Sequence, residues 1–158
     1  MRITLGEKVA KAAKDSQECI TLGRAATRVD CALSYAEFEL RKPLLAKIDP
    51  TDVSAGLHTT AESAKDLLQL RLPPDVHAAV EEYSKQAAKT NADFRKKWVG
   101  KGAQPFDAEA VRLAQGQAKA LRTRADAIWA SVRGLCMDKI DESFKSPSGM
   151  APAAGRTG

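Results

Sequence analysis

Aromatic side chains are scarce in this chain: two Trp, two Tyr and four Phe in 158 residues. Sandwiches and barrels draw heavily on aromatic and β-branched residues, so the shortage argues against an all-β fold. No run of 18 apolar residues occurs, which leaves no candidate transmembrane helix. The opening Met-Arg-Ile-Thr-Leu-Gly-Glu-Lys lacks the apolar core of a secretory signal, so a cytoplasmic location is the expectation. The three cysteines, Cys19, Cys31 and Cys136, form no Cys-x-x-Cys, which removes the usual zinc and redox signatures.

Catalytic signatures are missing too. There is no Gly-x-Ser-x-Gly, and Gly100-Lys101-Gly102 has neither the glycine-rich lead nor the following Ser or Thr of a phosphate loop. The only histidines, His58 and His77, each have a glutamate four residues on, Glu62 and Glu81. In a hairpin of the two helices that carry them they stand roughly 15 Å apart in level, too far to share a metal. No cofactor, metal or catalytic residue is expected, and the function expected is non-catalytic.

What is abundant is alanine, 28 residues, with Gly and Pro gathered at a few points. That balance favours helices packed closely through small side chains. At 44% apolar residues and single-domain length, the chain buries enough surface to fold without metal or disulfide.

Four helices follow from periodicity and punctuation. The first runs over about residues 5–42. It opens with a Thr4…Glu7 capping box, carries a seam of Cys19, Leu22, Ala26, Val29, Leu33, Ala36 and Leu40, and is ended or kinked by Pro43. The steps of three and four are those of a coiled-coil seam. The second, about 50–71, starts at Asp49-Pro50 and carries Val53, Leu57, Ala61, Ala64 and either Leu67 or Leu68. Gly56 and the Thr59-Thr60 pair make it the weakest of the four. The third, about 74–99, follows Pro73-Pro74 and aligns Val76, Val80, Tyr83, Ala87, Phe94 and Trp98 before Gly100 and Gly102. The fourth, about 107–144, is capped by Asp107 and aligns Val111, Ala114, Ala118, Leu121, Ala125, Ile128, Val132 and Leu135.

Short connections make consecutive helices antiparallel neighbours, so the expected fold is all-α: a single up-down-up-down four-helix bundle over residues 1–145 with a disordered tail, 146–158. The first and last helices are each roughly 57 Å long, against roughly 33 and 39 Å for the middle pair. Their far ends should therefore project as a two-helix stalk, unless Gly23, Gly116 or Gly134 breaks a helix and folds it back. A half-covered stalk points to a protein partner or a homodimer, contacted through Val9, Ala13, Leu135, Ile140 and Phe144.

Two alternatives stand beside that reading. Arg95, Lys96, Lys97, Trp98 and Lys101 form a basic run around an indole, suited to nucleic acid or an anionic membrane. The same residues also suit a helix C-terminus, where cations are favoured. Lys8, Lys11 and Lys14, with Arg122, Arg124 and Arg133, extend the basic surface. The second alternative is an exported bundle stapled by Cys19 and Cys136, which antiparallel register places at nearly one level.

Overall fold

The computed structural model describes residues 4–43 and 47–144, with side chains as far as residue 138. Four α-helices make up the described fold: α1 (Leu5–Leu40), α2 (Pro50–Leu67), α3 (Pro74–Trp98) and α4 (Ala108–Phe144). The tail from residue 146 onward lies outside the described residues.

Local chemistry sets the helix ends. The Glu7 N–H donates to Thr4 Oγ1 at 3.1 Å, and the Thr4 N–H donates to Glu7 Oε2 at 3.2 Å, closing the capping box. Asp49 and Asp107 cap α2 and α4 by accepting from the Thr51 and Ala110 N–H groups. After α3 the chain turns on Gly100 and Gly102, at φ +93° and +76°, a region that side-chain-bearing residues avoid. Helix α2 ends at Leu67, short of the expected 71. The Gln69 and Leu70 N–H groups reach back only three residues, to Asp66 and Leu67, in a tightened last turn. The approaching Pro73 disfavours helical backbone just before it. Neither Gly23, Gly116 nor Gly134 interrupts its helix.

Helix α1 packs against α2 and α4, and α3 packs against the same two, so the four close a ring around one core. The seams expected from periodicity fill that core. Leu33, Val53, Leu67, Val80, Tyr83, Leu121 and Val132 are fully enclosed. Cross-helix bonds run in opposite chain directions. Ser54 of α2 meets Asn91 of α3, whereas Thr60 meets Tyr83. Gln115 of α4 donates to the Leu40 carbonyl, whereas Arg122 reaches Ser34 and Glu37.

Gly56 and Thr60, which make α2 look weak in sequence, hold it in place. A Cβ built on Gly56 falls 2.8 Å from both Ala36 Cβ and Ala36 N and 2.9 Å from the Ala32 carbonyl. Only glycine lets the two helices approach this closely. One turn on, the buried Thr60 hydroxyl donates to the Val29 carbonyl at 2.7 Å and lies 2.8 Å from the Tyr83 hydroxyl. Its single proton being spent on Val29, Tyr83 must be the donor to Thr60. Burial pushes the Tyr83 phenol up to about 12, against the lowering effect of the Thr60 bond.

Glu39 is 5% exposed and accepts from the Asp49 N–H and from Lys42 Nζ at 2.7 Å. Burial raises its pKa, but these two donors outweigh burial and hold the carboxyl below its ordinary value. It thereby ties the end of α1 to the cap of α2.

Four outcomes are expected. Gly56→Ala loses about 1–3 kcal/mol in urea unfolding through overpacking. Gly116→Ala, whose added Cβ meets open space, gains about 0.5–1 kcal/mol. Thr60→Val costs about 1–3 kcal/mol by stranding the Tyr83 hydroxyl, and adding Tyr83→Phe recovers part of that loss; strictly additive costs would dismiss the hydroxyl pair. Glu39→Gln destabilises the protein at neutral pH. Because the folded-state pKa is depressed, the gap between the two proteins is complete above the ordinary value of 4.5 and closes as pH falls through the lower folded value. Urea midpoints from pH 7 to pH 3 measure that gap.

Candidate functional site

Every large hydrophobic residue exposed among the described residues lies on α1 or α4. These are Leu5, Val9, Ile20, Tyr35 and Phe38 on α1, and Leu113, Trp129 and Met137 on α4. The α2–α3 hairpin contributes none. The sticky side of the molecule is thus the helix pair that forms its long edge.

At one end of that edge, Leu70 and Arg71, which follow α2, line a groove with Lys14, Gln17, Glu18, Thr21 and Leu22. From there α1 continues N-terminally to Leu5, beyond the hairpin. Leu5 is 78% exposed, Val9 61% and, on α4, Met137 60%. The residues turned inward on this part of α1 are Ala12 and Asp15, both buried, with Lys11 Nζ 2.9 Å from Asp15.

The expected contact residues differ in their surroundings. Val9 and Ala13 are exposed, whereas Leu135 is half-buried and packs with Cys136 against the core. Ile140 and Phe144 fall in the helical backbone of α4, but their side chains lie outside the described residues. Val9 and Ala13 instead continue a line of exposed residues along α1: Ile20, Cys31, Tyr35 and Phe38. Ile20 and Phe38 are about five turns apart, as are Ala13 and Cys31, and Val9 precedes Ile20 by about three turns. The line therefore keeps to one face, opposite the buried seam of Leu22, Val29, Leu33 and Leu40. Tyr35 and Phe38 were not among the expected contacts. Their signal was a second apolar periodicity on a helix already assigned a core face.

The basic end of α3 is less free than its sequence suggests. Arg95 donates from Nη1 to Ser54 Oγ at 3.1 Å, and Ser54 donates to Asn91 Oδ1 at 2.7 Å, so its guanidinium serves the α2–α3 contact. Lys96, Lys97 and Lys101 are exposed. Trp98 is half-buried, edge-on to Phe106 with ring centres 5.8 Å apart, and Phe106 in turn meets Phe94 at 5.5 Å. Two open grooves of about 480 and 720 Å³ flank Trp98 and share Lys97, Gln104 and Leu113. Their cations, Lys96, Lys97 and Arg112, are matched by Asp93, Asp107 and Glu109 on the same walls. The loop and the start of α4 thus bring acids against the basic run, and the site is not strongly positive.

Arg122 also leaves the basic surface. Its guanidinium donates to Glu37 at 2.5 Å, to Ser34 at 2.9 Å, to Asp126 at 3.3 Å and to Asp30. The Glu37 bonds, ahead of the opposing effect of burial, raise its pKa above the ordinary arginine value. Lys11 is likewise engaged, by Asp15.

Cys19 and Cys136 are half-buried and Cys31 is exposed; no disulfide joins them. No group of three or more His, Cys, Asp or Glu among the described residues could hold a metal ion, and no described helix is long and apolar enough to cross a membrane. Compared with known proteins, the chain matches no family model, no curated protein and no solved structure.

Proposed function

We propose that this chain is a non-catalytic helical interaction module that binds protein, a second copy first of all, through the end where α1 and α4 outrun the α2–α3 hairpin. The observation that carries the reading is the exposure of Leu5, Val9 and Met137 on that end. Each is a large apolar side chain whose burial is worth about 1.5–3 kcal/mol, so self-association that covers them removes apolar area from water. A two-fold contact doubles the benefit, because the same patch is offered by both copies. The helices themselves need no partner to stay folded, since Ala12, Asp15, Leu22 and Val132 already seal the interior nearby.

Light scattering across a concentration series tests the reading. The expected result is a dimer, with Leu5→Ser/Val9→Ser/Met137→Ser shifting the mass to monomer at unchanged helicity. A wild-type monomer at high micromolar concentration would overturn self-assembly. So would a dimer indifferent to the three substitutions.

A further inference from the structure

We infer that the outer line of α1, alongside the bundle rather than at its end, is a docking face for an anionic lipid surface. It goes beyond the end-on contact proposed above, since its chief residues are Ile20, Tyr35 and Phe38 with Arg24 and Arg28.

The first support is the sign of the charge. Six acids lie on α1, and all of them are occupied or turned toward neighbouring elements. Glu7 caps the helix, and Asp15 takes Lys11. Glu18 lines the groove against Leu70 and Arg71. Asp30 and Glu37 take Arg122, and Glu39 takes Lys42 and the Asp49 N–H. The charges that remain beside the apolar line are cations. Arg24 stands one turn after Ile20 and Arg28 one turn before Cys31; both are exposed and neither forms an ion pair among the described residues. Arg41, exposed at the C-cap, adds a third.

The second support is shape. The line runs along the outside of one uninterrupted helix, from Val9 to Phe38, a length of about 44 Å. A single helix face of this kind lies along a bilayer, its apolar side chains at the acyl boundary and its arginines among the headgroups. A nucleic acid backbone would satisfy the arginines and leave Ile20 and Phe38 in water. A second copy laid antiparallel on the same line would set Arg24 and Arg28 against their own counterparts.

Co-sedimentation with sized vesicles is the test, using phosphatidylcholine alone and phosphatidylcholine with roughly a third phosphatidylglycerol. The protein is expected to pellet with the anionic vesicles only, and less so as salt rises. Tyr35→Ser/Phe38→Ser and Arg24→Gln/Arg28→Gln should each weaken binding by about tenfold or more, at unchanged helicity. A Phe38→Trp variant should add a blue-shifted emission on anionic vesicles, which adsorption by charge alone would not produce. Binding that survives those two double variants but is lost in Lys96→Gln/Lys97→Gln would assign the lipid contact to the end of α3 and overturn the inference. Failure to bind either vesicle would overturn it too and leave the ridge to a protein. The outcome is independent of self-association: a monomer that binds anionic vesicles defeats only the end-on reading, and a dimer that ignores them defeats only this one.

Discussion

The close approach of α1 and α2 at Gly56 is the constraint on which the rest of the architecture leans. The space a methyl group would need there is already taken by Ala36 and the Ala32 carbonyl. That contact brings the backbones near enough for Thr60 to reach the Val29 carbonyl, and Thr60 in turn holds the Tyr83 hydroxyl of α3. One glycine therefore sets the distance for three helices. An alanine-rich interior has little volume with which to specify register, because alanine seams slide past one another at low cost. Buried polar bonds with fixed partners supply that specificity. Ser84 on the Ala61 carbonyl and Ser54 on Asn91 each fit one alignment of the α2–α3 hairpin, and Thr60 on Val29 fits one alignment of α1 with α2.

The α1–α4 contact uses charge for the same purpose. Arg122 draws Asp30, Ser34 and Glu37 of α1 onto α4, with side-chain exposure of 21% against 15% at Glu37. A partly buried pair of this kind returns little net stability after desolvation, but breaking it strands a charge, so it penalises misalignment more than it rewards folding. Its second effect is on the surface. It turns Asp30 and Glu37 of α1 toward α4.

Periodicity made the core legible before any coordinates. The seams of all four helices, the Thr4–Glu7 box, the Asp49 and Asp107 caps and the glycine stop after Trp98 all rest on chemistry within a few residues of chain, and they stand as read except at Cys19, which is half-buried outside the core. What sequence left hidden depends on which helix lies next to which. Gly56 reads as a helix weakness until Ala36 is placed against it. Arg95 and Arg122 read as solvent-facing cations until Ser54 and Glu37 come into reach. Asp107 and Glu109 look remote from Lys97 until the loop brings them to the same groove. The mismatch of helix lengths was legible, but the rotation of each helix was not. Rotation of α1 turns Ala12 inward and Val9 and Ala13 outward, while Leu135 stays with the core.

The two-sided character of α1 follows from the same limit. A helix with apolar lines on opposite faces has only a weak overall amphipathicity, so the face chosen for the core is decided by the neighbours rather than by the helix alone. Leu22, Val29, Leu33 and Leu40 take the inside because they meet the seams of α2 and α4, and Ile20, Tyr35 and Phe38 are left outside. The hairpin of α2 and α3 shows the ordinary outcome, with its large apolar residues enclosed and none exposed among the described residues. The aromatic pair on α1 lies outside the buried core. Replacing Phe38 and Tyr35 by polar residues would leave every buried contact in place. A surface that the fold neither needs nor hides is the part of this molecule whose composition its own stability does not explain, and that asymmetry between the two helix pairs is what directs attention to the α1 edge.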